Sequence, residues 1–420
     1  VKHTVRAALR AVLALSAAHL FAAAPAQAAD PIKVGMSLAL TGTGAPAGKM
    51  LQAAIEIWRD DVNAKGGLLG RPVEVIVYDD QSNPAQVPGI YTKLISVDKA
   101  DLLLGPYGTN FVAPAMPTII QNKRMVISYT AIGINDQYHY DKYFSMVPVG
   151  TDGVNAFSKG FFEIAAQQNP KPQTVAIIAA DAEFAQAAAA GARQELKKHG
   201  FKLIFDKNYP PSTTDFTPVM RAVQAANADI VYAGAYPADS VGLVRAANEV
   251  GLNPKMFGGA LIGQLVTPIK ASLGPIQNGI VIHESFVPSP KLSFPGLDDL
   301  MKRYQAKAAE LKTDSIGFAF VPFGYTNGQI LDQAVTATKS LDSDVLAKYI
   351  HSHTFKTVVG DLAFGKDGEW AKPRMVLTQF QNIEPNNAAQ FKDGSKQPIL
   401  WPPEYATGKM IYPYADARKK

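Results

Sequence analysis

Two stretches of this 420-residue chain share one design, and that repetition narrows the choice of fold more than any other feature. Asp101-Leu102-Leu103-Leu104-Gly105-Pro106-Tyr107-Gly108 and Asp229-Ile230-Val231-Tyr232-Ala233-Gly234-Ala235-Tyr236 each begin with an acid and continue through an apolar run. Each then ends in a glycine-bearing turn that opens a helical pattern. Short, wholly apolar runs mark strands buried on both faces of a parallel sheet. Each stretch takes the third-strand position of its half, and strands alternate with helices around both. That pattern predicts α/β architecture in two similar, doubly wound lobes. Ligands in such sheets lie outside the carboxyl ends of the strands, so Thr109 and Tyr236 are expected to face each other across a cleft.

The first stretch has the chemistry of an anion site. Gly105, Pro106 and Gly108 punctuate a tight turn, and a helical pattern follows from Phe111 through Val112, Ala115, Met116, Ile119 and Ile120. Thr109 and Asn110 stand where a cap belongs, glycine lets a ligand approach the main chain, and the first helical N–H groups lack partners. A carboxylate is the simplest anion for such a place. An ordinary N-cap facing water accounts for the same residues.

Read in order, residues 32–38 form strand one. A loop over 41–48 leads to a helix with Leu51, Ala54, Ile55, Trp58 and Val62 on one face, stopped by Lys65-Gly66-Gly67. Strand two covers 73–78 and ends in Asp79-Asp80; a helix spans 87–97, and a further strand 125–129. The pattern restarts at Thr151-Asp152-Gly153, with strands at 174–179 and 201–205 and helices between and after them. A strand at 279–286 lies near a crossing back to the first lobe. Strands at 358–364 and 375–381 are expected to close the second lobe. The tail after Glu384, rich in Pro, Tyr and Trp, reads as irregular backbone draped on a lobe.

The first residues carry an export signature. Lys2, Arg6 and Arg10 precede an apolar run over 11–24, and Ala26-Gln27-Ala28 has the small-x-small form of a cleavage site. The run of about 14 residues is shorter than the ~20 a bilayer span needs, so cleavage near Ala29 or Asp30 is expected rather than membrane insertion. Setting aside those three cations leaves 38 basic against 36 acidic side chains, too balanced for a nucleic-acid footprint. With no cysteine in the chain, a disulfide framework, a thiolate metal site and a cysteine nucleophile are all excluded.

Several partial motifs dissolve on inspection. Gly42-x-Gly44-x-x-Ala47 follows a strand as a dinucleotide fingerprint does, but the acids ending strand two, Asp79 and Asp80, come far too late. Thr43 and Met50 break the phosphate-loop pattern around Gly48-Lys49. His283-Glu284 starts a zinc-protease motif whose second histidine is replaced by Val287, and His351 and His353 read as surface residues. The adjacent pairs Asp60-Asp61, Asp79-Asp80 and Asp298-Asp299 point their carboxylates apart. No Gly-x-Ser-x-Gly elbow occurs, so neither an enzyme nor a cofactor or metal is expected.

Taken in order, a leader, Ile32-Lys33-Val34-Gly35, Asn63-Ala64-Lys65-Gly66-Gly67-Leu68-Leu69-Gly70, Tyr78-Asp79-Asp80 and the turn at Gly105 resemble the periplasmic leucine/isoleucine/valine-binding proteins. Gly234-Ala235-Tyr236 and Val359-Gly360 with Phe364-Gly365-Lys366-Asp367-Gly368 extend the resemblance over residues 31 to 384. It implies the type I periplasmic binding fold, two Rossmann-like lobes joined by three crossovers near Thr151, His283 and Val359. The implied division is a signal peptide over 1–28, lobe one from 30–151 with 284–358, lobe two from 152–283 with 359–384, and a C-terminal extension over 385–420. The implied protein is periplasmic and monomeric, and hands its solute to the membrane permease of an ABC importer.

Carried over by position, the family's carboxylate-binding hydroxyl falls on Thr109, with Gly108 backbone and Asn110 beside it. The loop that helps hold an amino group falls on Thr130 to Ile132, with Ile132 where a hydroxyl is expected, and the aromatic wall of lobe two falls on Phe184 and Tyr236. The glutamate that pairs with a ligand ammonium falls about Ala260, and a bulky aromatic of the first loop about Ala47. An ammonium buried without an acidic partner costs several kcal/mol. The expected ligand is therefore a carboxylic acid without an amine, foremost an aromatic acid such as a hydroxybenzoate or hydroxycinnamate. Glu183 is the acid placed to overturn that. A branched-chain or other amino-acid receptor is the alternative, and a ligand-sensing subunit for a signalling partner is an alternative of another class.

Overall fold

The computed structural model describes residues 30–419. The proposed signal peptide over 1–28 lies outside them. Lobe one is built on five parallel strands, β1 (Ile32–Leu38), β2 (Val73–Asp79), β3 (Leu102–Leu104), β4 (Val126–Ser128) and β5 (Tyr143–Ser145), in the order β2-β1-β3-β4-β5. Lobe two repeats that order as β7-β6-β8-β9-β10. Its parallel strands are β6 (Thr174–Ala180), β7 (Lys202–Tyr209), β8 (Ile230–Ala235), β9 (Met256–Leu261) and β10 (Val281–Glu284). The two acid-led stretches thus form β3 and β8, each the strand at which its sheet reverses direction, which is where doubly wound sheets open a crevice.

Apolar periodicity sets the layers. Helix α1 (Ala45–Ala64) buries Leu51, Ala54, Ile55, Trp58 and Val62 on one face of the lobe-one sheet. Helices α2 (Val87–Ser96) and α3 (Thr109–Gln121) bury Tyr91, Leu94, Val112, Met116 and Ile119 on the other. In lobe two, α4 (Glu183–Lys198), α5 (Thr217–Ala226) and α6 (Pro237–Glu249) share one core with β6, β8 and β9. Two later helices, α7 (Leu297–Leu311) and α8 (Val321–Thr338), return to lobe one and pack on α1. Gly328 lets α8 approach closely, since a Cβ there would stand 2.2 Å from the Trp58 ring. Asp61 on α1 fastens the group, taking bonds from Arg303 Nη1 and Nη2 at 2.6 and 3.0 Å and from Tyr325 Oη at 2.6 Å.

Three expectations need correction. Residues 358–364 do not close lobe two. β11 (Phe355–Thr357) and β12 (Gly360–Leu362) form a separate antiparallel hairpin whose Phe355, Val358, Val359 and Leu362 belong to the lobe-one core. The third crossover therefore comes at residues 372–375, past Val359, where Arg374 N–H bonds the Pro148 carbonyl of the first crossover at 2.8 Å. The C-terminal extension is not wholly irregular. β13 (Val376–Gln379) pairs antiparallel with β10, and β14 (Ile399–Trp401) adds the next strand outward, while Tyr414 packs against Phe257 in the lobe-two core.

Candidate functional site

At the end of β3 the chain turns through Gly108, whose φ of +93° suits glycine, and α3 begins at Thr109. The N–H groups of Phe111 and Val112 both return to the Gly108 carbonyl at 3.0 Å, and those of Thr109 and Asn110 stand at the open helix end. Thr109 Oγ1 accepts from Ile132 N–H at 3.2 Å, which leaves its own proton free to donate. Thr130 Oγ1 is buried with no hydrogen-bond partner among the described residues. The loop before α1 completes this wall: Asp79 takes bonds from Leu40 N–H, Thr41 N–H and Thr41 Oγ1, and Ser82 Oγ accepts from Gly44 N–H at 3.0 Å.

Lobe two answers with rings. Tyr236 Oη accepts from Phe184 N–H at 3.1 Å and donates to Asn110 Oδ1 at 2.7 Å, a bond that joins the two lobes over the cleft. Burial, against these bonds, pushes the Tyr236 phenol up to about 12, so it stays a neutral donor. Phe184 lies edge-on to Tyr236 at 5.9 Å and to Phe157 at 5.3 Å.

Between the walls lies a cavity of about 440 Å³, which suits a small organic solute. Thr43, Gly44, Ser82, Tyr107 and Phe320 line it from lobe one, and no Lys or Arg does. The donors available to an anion there are helix-end N–H groups, hydroxyls and the Asn110 amide, with no side-chain cation. Its lining contains one carboxylate, Asp239, which accepts from Tyr209 Oη at 3.2 Å and whose pKa burial raises. It also contains His283, which burial pushes down to about 4. A second cavity, of about 20 Å³ beside Lys270, Glu284 and Gln397, has room for about one water.

The cleft brings together Gly108, Thr109, Asn110, Thr130, Ile132, Phe184 and Tyr236, and leaves out two of the nine expected positions. Ala47 sits inside the first turn of α1 with its side chain in the lobe-one core, so its size does not widen the cleft; the preceding Thr43 and Gly44 face it instead. Ala260 lies within β9, opposite Gly234, and the residue that reaches the cleft past the strand end is Ile262. No acid occurs from Gly258 to Leu265, so the want of an amine partner on this loop survives the shift. Glu183 is exposed on the first turn of α4 and is not in the lining. Sequence reasoning missed Asp239, His283 and Ser285. The carboxyl-end rule applied to β10 would have found the last two.

Among the described residues no helix is long and apolar enough to cross a membrane, and no group of three or more His, Asp or Glu side chains is placed to hold a metal. A family model described as periplasmic binding protein matches residues 31–387. A Leu/Ile/Val-binding protein homolog from Brucella suis is 24% identical over 384 residues, 88% of this chain and 94% of the relative. The branched-chain amino acid transporter substrate-binding protein of Streptococcus pneumoniae, solved with isoleucine, superposes with a TM-score of 0.71 at 18% identity, covering 89% of this chain and all of the other. A solute-binding protein of an ABC transporter from Rhodopseudomonas palustris, solved with 3,4-dihydroxybenzoic acid, also reaches 0.71 at 18% identity, covering 91% and 99%.

Proposed function

The chain belongs to the periplasmic binding protein family, whose members are solute receptors and not enzymes, and from that premise we propose that it serves an ABC importer by closing on a small carboxylic acid without an amine. The observation that carries this reading is a group of anion donors at one helix end in a cleft otherwise walled largely by rings. Lobe one offers Thr109, Thr130 and the open end of α3 to a carboxylate, while Phe157, Phe184 and Tyr236 of lobe two and Tyr107, Phe111 and Phe320 of lobe one offer rings. An aromatic acid such as a hydroxybenzoate or hydroxycinnamate meets both, and ring contacts with Phe184 or Tyr236 add ~0.5–1.5 kcal/mol. The solute passes to a membrane permease, and the receptor acts as a periplasmic monomer.

Competition calorimetry of 4-hydroxybenzoate or 4-hydroxycinnamate against leucine tests the reading. The aromatic acid is expected to bind the more tightly, and at 100 times its dissociation constant to add ~2.7 kcal/mol to stability. Tight leucine binding with no response to any aromatic acid sinks it. One feature favours the second reading, an amino-acid receptor: Asp239, the carboxylate in the lining, is placed to meet an ammonium. Asp239→Asn separates the two. An acid without an amine keeps its affinity within about threefold, whereas an amino acid loses a charge partner and binds about 10- to 150-fold more weakly.

A further inference from the structure

His283 is the next-to-last residue of β10, where the chain leaves lobe two for the second crossover. Its ring lines the cleft but is only 3% exposed. Nδ1 lies 3.4 Å from the Gly259 carbonyl. A carbonyl only accepts, so the ring proton belongs on Nδ1 and Nε2 carries a lone pair. Phe157 stands edge-on at 4.4 Å and 84°, which holds the imidazole plane. No donor among the described residues serves Nε2, and burial keeps the ring neutral at pH 7. Two residues on, Ser285 also lines the cleft, and its Oγ has only the Met375 sulfur at 4.0 Å.

From this geometry we infer that His283 is a specificity residue of the cleft, its Nε2 accepting a hydrogen bond from a hydroxyl on the ligand. The inference rests on the carboxylic-acid reading above and sharpens it: the solute carries a carboxylate toward Thr109 and a hydroxyl toward His283, with Ser285 beside it. A neutral acceptor in an apolar wall discriminates by what it is left with. A ligand lacking the hydroxyl strands a buried lone pair, and a ligand presenting a second carboxylate or an ether oxygen offers acceptor against acceptor.

The experiment is calorimetry with benzoate, its 3- and 4-hydroxy derivatives and the methyl ether of each, on the wild type and on His283→Leu. The quantity read is the ratio of affinities between the better hydroxy acid and benzoate. A ratio of tenfold or more is expected in the wild type, with the methyl ether no better than benzoate, and a fall below about threefold in His283→Leu. A ratio that survives in His283→Leu, or a wild type that binds benzoate and the hydroxy acids alike, overturns the assignment of His283 and leaves the carboxylate reading standing. Failure of every acid to bind overturns both. Should His283→Leu not fold, nitrogen NMR of the imidazole in the wild type decides. An unprotonated Nε2 whose resonance moves with the hydroxy acid and not with benzoate supports the assignment; a protonated Nε2, or equal movement with both acids, overturns it.

Discussion

Lobe one reaches the cleft with β3 and α3, and lobe two with β8 and α6, the same places in the same strand order. The two helix ends are nevertheless built for opposite tasks. At α3 the chain enters through Gly108 at positive φ, and Thr109 and Asn110 follow with free N–H groups and no acid in the first turn. At α6 the first helical residue is Pro237, which has no N–H to give, and Asp239 in the first turn places a carboxylate where a helix end would attract an anion. Tyr236, ahead of that proline, turns an extended backbone and a phenol toward the cleft. Topology alone therefore makes two crevice walls, and three residues at each helix start decide which helix end offers N–H groups and a hydroxyl and which offers a phenol and a carboxylate.

The largest expected break in this asymmetry is at Thr109. If the proposed carboxylate sits at α3, Thr109→Ala removes its hydroxyl partner, worth ~1.5–3 kcal/mol, or roughly 10- to 150-fold in affinity. The backbone donors beside it remain, so binding weakens without unfolding. Calorimetry showing wild-type affinity would move the anion away from α3.

The next effect tests what joins the walls. Tyr236→Phe loses the bond to Asn110 Oδ1 and the one from Phe184 N–H while keeping the ring. If the lobes close on the solute as proposed, this cross-lobe bond favours the closed form, and affinity is expected to fall about two- to tenfold. Small-angle scattering at equal, sub-saturating ligand should give a larger mean radius of gyration than the wild type. An identical titration would show that Tyr236 supplies its ring alone.

The smallest effect contrasts two buried glutamates. In lobe two, Glu284 has an unpartnered Oε2 among the described residues but Lys270 Nζ 2.8 Å from Oε1. Glu369, packed toward β5 of lobe one, is 6% exposed and its Oε2 has no partner among the described residues. Burial, with the Asp367 and Asp136 carboxylates nearby, raises the Glu369 pKa well above its ordinary value. The native state then keeps a proton that the unfolded chain releases, so stability falls as pH rises from the ordinary carboxyl range toward the raised value. Glu369→Gln keeps the neutral form at every pH. Its Tm should equal the wild type's near pH 4 and exceed it at pH 8, on the order of 2 °C. A constant difference across that range would remove Glu369 from the pH dependence.

The α/β alternation, both third strands, the basic and glycine stops of α1 and α4, and the Gly-Thr-Asn start of α3 are legible in the sequence. Each is a local matter, set by the apolar period of one segment or by the few residues that can turn or cap it. Seven of the nine expected site positions line the cleft for the same reason, since they sit at strand ends. Ala47 and Ala260 missed because both lie inside regular elements, whereas the cleft is reached from the element ends, by Gly44 ahead of α1 and by Ile262 past β9.

What the sequence by itself determined, then, is the order of elements and the chemistry at their ends. Only the tertiary structure decided which lobe owns the hairpin over residues 355–362, that residues 399–401 extend the lobe-two sheet, and that His283 and Asp239 share a cavity with Thr109. Short strands such as Phe355–Thr357 and Ile399–Trp401 fit either lobe by pattern. Burial is non-directional, so their place depends on which distant surface lies within reach after the chain has crossed the hinge three times. The setting of His283 has the same origin: the Gly259 carbonyl, 3.4 Å from its Nδ1, is 24 residues away and becomes a neighbour only when β9 and β10 pair.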